Sequence, residues 1–300
     1  MIAPPALKPG DLIYITAPAK SIDEETVRFS KEFFEEKGFR VLISKNCFGV
    51  FNYFSGTDQE RMEDLQYGID HPEVKAIVCA RGGYGCIRIL EGIQWANMLR
   101  EPKWLIGFSD VTVFHHRLNN LGVQSIHGTM SLNFEKNSRE TFETLWAALE
   151  RKPYKITTLF NEKNKIGSVE GLLIGGNLSI VYSLLGTSDS FHFEDKILFL
   201  EDLAEHYYHI DRMFFALKKA GALDKIKGLV IGGMTDLEDT TAPFGMSLED
   251  IVLQHFQYRN IPICFGFPAG HLDDNRAIIF GANVLLEVTE KETSLLSFNS

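Results

Sequence analysis

Cysteine is scarce: four residues in 300, Cys47, Cys79, Cys86 and Cys264, with no C-x-x-C pair among them. That spacing offers neither a zinc-knuckle rhythm nor a disulfide framework, and it favours a reducing compartment. Cys79 and Cys264 sit in apolar runs and read as small core residues. A basic surplus is also missing, since 30 Lys and Arg against 40 Asp and Glu leave a net charge of −10. No nucleic-acid partner and no anionic membrane surface are therefore expected, and an acidic ligand would need a locally placed Arg or Lys. The first ten residues lack the basic and apolar regions of a signal peptide. The longest uncharged run, Gly171 to Ser188, is eighteen residues long but holds four glycines and Asn177. It reads as a poor membrane span, so the expected location is cytoplasmic.

What is present is enough apolar material, 45% of residues, to build a sizeable core. Three hundred residues suit about two domains. The first half alternates strand and helix signals. Leu12–Ala17, Arg40–Ser44, Lys75–Ala80 and Lys103–Gly107 read as strands. Ser21-Ile22-Asp23-Glu24 and Thr57-Asp58-Gln59-Glu60 read as capping boxes opening helices. In the first helix, Ile22, Thr26, Phe29 and Phe33 make one stripe, with Val27 and Phe34 beside it, and Gly38 is the stop. This alternation predicts an α/β fold with a mainly parallel N-terminal sheet flanked by helices, its strands covered on both faces.

A helical stretch from Ser138 to about Glu150 leads into a polar segment without a strong period. The expected division is a domain over residues 1–150, a linker over 151–165 and a second, smaller, β-rich α/β domain over 166–300. In that second part, strands are expected at Lys196–Leu200, Gly228–Ile231, Ala277–Phe280 and Leu285–Val288. A helix from about Ile210 to Ala220 should close at Gly221.

Four segments could carry chemistry. In Ile106-Gly107-Phe108-Ser109-Asp110 an apolar strand runs straight into a helix-like stretch. A serine at such a turn can expose its hydroxyl as a nucleophile, though the second Gly of G-x-S-x-G is replaced by Val111. Spacing alone favours a capping role for this segment. Arg81-Gly82-Gly83-Tyr84-Gly85 can turn backbone N–H groups towards an anion, or simply make a tight turn. Glu201, Glu205, His206 and His209 could be drawn as metal ligands, but H-E-x-x-H is absent and a solvated helix start explains the charges. No metal is expected. His271, in a glycine-bordered loop, suits proton transfer or a plain hydrogen bond, while His115 and His116 read as helix packing or solvent contacts.

Taken together, the chain resembles the LD-carboxypeptidase family of serine peptidases, also called muramoyltetrapeptide carboxypeptidases. The resemblance rests on Leu7-Lys8-Pro9-Gly10-Asp11, Arg81-Gly82-Gly83-Tyr84-Gly85, Gly107-Phe108-Ser109-Asp110 and His127-Gly128. It continues through Gly175-Gly176-Asn177-Leu178, Leu200-Glu201-Asp202 and Gly270-His271. It implies Ser109 as nucleophile, His271 as general base and acid, and Glu201 orienting the imidazole. It further implies an oxyanion hole from the N–H of Asp110 and of a glycine of the Gly82-Gly83 pair. The implied substrate is a murein peptide losing a terminal D-alanine during wall turnover, with no cofactor and a homodimeric enzyme. Arg81 and Arg212 are the expected cations for the substrate's carboxylates. Two alternatives stand beside this: a related amide hydrolase of the peptidyl-nucleotide antibiotic immunity type, and a non-catalytic α/β protein that binds an anion or nucleotide.

Overall fold

Every side chain of β1 (Leu12–Thr16) is buried, because helices cover both faces of its sheet. Ile13 and Ile15 pack with Val27 and Phe34 of the Glu24–Glu36 helix and Leu145 and Ala148 of the Arg139–Leu149 helix. Leu12 and Tyr14 pack the other way, with Leu65 of the Asp58–Asp70 helix and Val113 and Phe114 of the Thr112–Asn120 helix. Period-two side-chain alternation thus feeds two cores from one strand. The computed structural model describes residues 1–298.

β2 (Arg40–Ile43), β3 (Val74–Cys79), β4 (Trp104–Gly107) and β5 (Ser125–His127) join β1 in parallel, in the order β5-β4-β3-β1-β2. The second half supplies β6 (Tyr154–Leu159), β7 (Gly167–Asn177), β8 (Lys196–Leu203), β9 (Gly228–Thr235) and β10 (Ile263–Cys264). It ends with β11 (Ile278–Phe280), β12 (Asn283–Val288) and β13 (Glu292–Ser297). Seven of these strands form a mixed sheet, β10-β9-β8-β7-β12-β13-β6, parallel from β7 to β10 and antiparallel beyond. The expected α/β architecture is present.

Its details differ from the sequence reading in four places. Asp23 caps the first helix, accepting the Thr26 N–H at 2.8 Å, and Ser21 stands outside it. The helix buries Val27, Ser30 and Phe34 and leaves Phe29 exposed, so its inward stripe is one residue round from the expected one. Residues 151–165 contain β6, an edge strand whose only fully buried side chain is Ile156, which is why no period showed. Finally, β11 leaves its sequence neighbours and pairs antiparallel with β5, with Ile278 opposite His127.

That last excursion builds the seam between the sheets. Ile278 and Phe280 of β11 pack with Phe199, Val230 and Leu286 of the second sheet in one buried cluster. All four cysteines are free and buried. The uncharged run from Gly171 forms most of β7 and the short Leu178–Ser183 helix. Among the described residues no helix is long and apolar enough to cross a membrane.

Candidate active site

Parallel strands of both sheets end at this seam, and the end of a strand is where an open α/β sheet places ligands. After β4, Phe108 is extended and Ser109 turns to a φ of +61° before a short 3-10 turn and the Thr112–Asn120 helix. A left-handed serine costs on the order of 1–2 kcal/mol and has to be held by its surroundings. Gly107 makes the turn possible, since a Cβ there would lie 2.9 Å from Val111. His115 reaches back from the helix: Nε2 donates to the Gly107 carbonyl at 2.9 Å, which leaves Nδ1 to accept from Ser125 Oγ at 2.8 Å. Burial keeps this imidazole neutral, pulled down to about 4. His116 is buried as well, its Nδ1 2.9 Å from the Asp189 carbonyl oxygen, so both histidines are packing residues.

The Ser109 hydroxyl is half-buried and has no partner among the described residues. Gly82 closes over it. A Cβ on Gly82 would lie 3.3 Å from Ser109 Oγ and 3.4 Å from the Asp110 nitrogen, so the glycine loop meets serine and neighbouring N–H at once. The loop is held from below by Arg61, a buried guanidinium that donates to the carbonyls of Pro18, Gly56 and Gly85. Neither Ser109 nor Asp110 caps its own helix, contrary to expectation. Asp110 instead accepts the Cys86 N–H at 2.8 Å across the seam between loop and turn. Burial raises its pKa, and the Cys86 bond offsets part of that.

From the second sheet come the other two groups. Glu201, near the end of β8, is fully buried and its Oε2 accepts both His271 Nδ1 at 2.6 Å and the His271 backbone N–H at 3.2 Å. Only glycine fits beside this carboxylate: Gly270 has a φ of +108°, and a Cβ there would lie 2.7 Å from Glu201. Burial pulls the His271 pKa down, but the Glu201 hydrogen bond and charge, with Asp202 behind them, more than reverse it and leave it raised. The His271 ring meets the Phe108 ring edge-on at 4.8 Å. Phe108 directly precedes Ser109, so this contact brings serine turn and imidazole to one place.

A half-buried hydroxyl without a partner, a carboxylate–imidazole pair and a glycine loop set against the serine and the Asp110 nitrogen are parts that acyl transfer can use. The sequence profile of the LD-carboxypeptidase N-terminal domain matches residues 13–128, and that of its C-terminal domain matches 170–286. The chain belongs to the LD-carboxypeptidase family. It is a carboxypeptidase, a hydrolase of peptide bonds. Among LD-carboxypeptidase relatives, a Bacillus subtilis protein named "Probable murein peptide carboxypeptidase" is 31% identical over 96% of this chain and 92% of its own. The murein tetrapeptide carboxypeptidase of Pseudomonas aeruginosa is 29% identical over 92% of each chain. The crystal structure of muramoyltetrapeptide carboxypeptidase from Oxalobacter formigenes superposes with a TM-score of 0.88 at 26% identity, covering 95% of this chain and 98% of that one. The microcin C7 self-immunity protein MccF of Escherichia coli is 25% identical over 88% of this chain and 86% of its own.

The remaining expected site residues of this member of the LD-carboxypeptidase family are less central. Arg81 spends a guanidinium nitrogen on the Ser21 carbonyl at 3.1 Å. Arg212 is exposed, stacked 5.4 Å over Tyr208 on its own helix, with no contact to Ser109, Glu201 or His271 among the described residues. Glu205 pairs with His209 at 2.9 Å, and His206 faces Glu238 at 3.6 Å. Two groups escaped the sequence reading. Lys20 lies beside the glycine loop: its N–H donates to Gly82 O, a Cβ on Gly83 would lie 3.0 Å from its own Cβ, and its ammonium sits 4.8 Å over Tyr53. The second is a polar chain of Thr112, Asn177 and Asp202. A lysine two residues past a strand-ending proline carried a signal of position only, and of the polar chain only Asn177 and Asp202 stood in segments that carry the family resemblance.

Proposed function

We propose that this protein is a serine peptidase that releases the terminal D-alanine from murein tetrapeptides. The observation that carries the reading is the buried Glu201–His271 pair, 2.6 Å long, set against the Phe108–Ser109 turn. Because Nδ1 of His271 donates to Glu201, Nε2 is the nitrogen left to take the serine proton. Ser109 Oγ attacks the scissile carbonyl and its proton passes to Nε2. The tetrahedral oxyanion faces the Asp110 N–H and an N–H of the Gly82-Gly83 pair. His271 then protonates the leaving amine, D-alanine departs, and water activated by the same imidazole hydrolyses the ester. Serine and imidazole need not be hydrogen-bonded beforehand, since such bonds commonly tighten only with substrate in place.

A carboxypeptidase must recognise a free terminal carboxylate, and a chain at −10 needs a local cation for it. Lys20 fits this role better than Arg81 or Arg212. It has no carboxylate partner among the described residues and lies one step along the glycine loop from Ser109. The same reading treats residues 1–150 as the nucleophile domain and 166–300 as the acid–base domain. It has the enzyme act in the cytoplasm, as a homodimer, on peptides freed during wall turnover, as the family resemblance implies.

Similarity to the microcin immunity protein favours a second substrate class, a peptidyl-nucleotide amide. Incubation with defined L,D-tetrapeptides and with an aminoacyl sulfamoyl nucleoside, followed by mass analysis, separates the two. Loss of one alanine from the tetrapeptide supports the proposal. Cleavage of the nucleoside alone overturns it.

A further inference from the structure

The serine stands on one sheet and its acid–base partners on the other, so a working site needs the two sheets in fixed register. The Phe108–His271 ring contact is apolar and does not fix distance sharply. A polar chain beneath it does. Thr112 is the first residue of the helix that follows Ser109, and it is fully buried. Its Oγ1 accepts the N–H of Asn177, the last residue of β7, at 3.1 Å. Contact is close because the preceding residue is Gly176, with a φ of +136°, where any Cβ would lie 2.5 Å from Thr112.

Asn177 passes the connection on. Its Nδ2 donates to Asp202 Oδ1 at 2.9 Å, while its Oδ1 accepts from Ser179 Oγ and the Ile180 N–H. Asp202 also accepts the N–H groups of Leu203 and Ser179, both at 2.9 Å, so each of its oxygens is engaged. It directly follows Glu201, and the two side chains leave β8 in opposite senses, one to His271 and one to Asn177. A buried carboxylate is costly, and an apolar residue of similar volume is commonly at least as stabilising. Burial and the neighbouring Glu201 charge indeed push the Asp202 pKa up to about 6.

We propose that Thr112, Asn177 and Asp202 are positioning residues that lock the serine turn of one sheet to the Glu201–His271 pair of the other. This rests on the triad reading above. Asp202 has a second effect: from the far side of β8 its negative charge adds to that of Glu201 in holding the His271 pKa up, while burial keeps His127 of β5 neutral. Among the described residues, Glu201 and Asp202 are the charged groups that raise the imidazole pKa, and His127 is its titratable neighbour.

The test uses Thr112→Val, which keeps shape and removes the acceptor, Thr112→Ser, which restores an oxygen, and Asp202→Asn. Turnover is expressed per active serine, counted by stoichiometric labelling with a fluorophosphonate, so misfolded protein does not enter. Thr112→Val should lose roughly 10- to 100-fold in kcat per labelled site with KM nearly unchanged, the scale of a small misplacement of reacting groups. Thr112→Ser should recover most of it. Asp202→Asn should lower kcat and move the acid limb of kcat/KM to lower pH, because a charge favouring imidazolium is gone. Either normal kcat per labelled site in Thr112→Val, or an unmoved acid limb in Asp202→Asn, overturns the proposal. Failure of the triad reading looks different: Ser109→Ala would then remain active and the wild type would take no label.

Discussion

The two sides of the site are held by different means. The serine turn is fixed by backbone shape: a left-handed residue, glycines at 82 and 107 that admit close approach, and a hydroxyl left without a partner. The Glu201–His271 pair is fixed by charge and hydrogen bonding around a fully buried carboxylate. On the proposed reading, a nucleophile must stay free to react, so its position is set by what surrounds it. An imidazole that must hold one tautomer needs a strong bond of its own. The comparison teaches that the scaffold of the first side should fail when bulk is added at Gly82 or Gly107, and that of the second when charge is removed.

The sharpest break is Ser109→Ala. It removes only an unpartnered hydroxyl, so the melting temperature should hold while kcat falls by about 10⁴-fold or more. Full activity in this variant would end the serine-peptidase reading. Next is Glu201→Gln, which keeps shape and removes the charge that stabilises imidazolium. A fall of roughly 10³- to 10⁴-fold in kcat, with a smaller change in KM, is expected from kinetics on the purified variant. Near-normal kcat would make Glu201 a bystander.

Lys20→Met tests the rim of the serine side. A lost charged hydrogen bond to the terminal carboxylate should raise KM about 10- to 100-fold. The same variant should also lose its preference for a free acid over the C-terminal amide. An unaltered preference would move the carboxylate elsewhere. The smallest effect is one of pH. His271 must be neutral to accept the serine proton, so kcat/KM should fall as pH drops through its pKa. Held up by Glu201, that limb should lie above the ordinary imidazole value of 6.5. In Glu201→Gln, where only Asp202 still opposes burial, the residual activity should show the limb displaced to lower pH. A limb in the same place for both proteins would show that Glu201 does not act on this imidazole.

Most of the serine side could be read from sequence because its signals are local. The strand before Ser109, the reciprocal Thr57–Glu60 cap and the glycines at 82 and 83 each involve residues within a few positions of one another. The pair Glu201–His271 was reachable only through resemblance to a family, since 70 residues separate its members. Asn177 and Asp202 are 25 apart and give no period at all. The first helix shows a different limit. Ile22, Thr26, Phe29 and Phe33 form as good a stripe as Val27, Ser30 and Phe34, and a buried Ser30–Ser131 hydrogen bond at 2.7 Å makes the serine-bearing face the inward one. Polarity on the edge strand β6 hid it for a related reason: five of its six residues keep contact with solvent.

The crossing of β11 into the first sheet bears on how the chain is born. Ser125–His127 leaves the ribosome with one edge unpaired, and the strand that covers it, Ile278–Phe280, emerges some 150 residues later. The half that carries Ser109 therefore cannot finish its sheet during its own synthesis. It waits, with an open edge, for a segment that follows the whole of β6 to β10. No shortened product ending before residue 278 can hold a finished serine-bearing sheet.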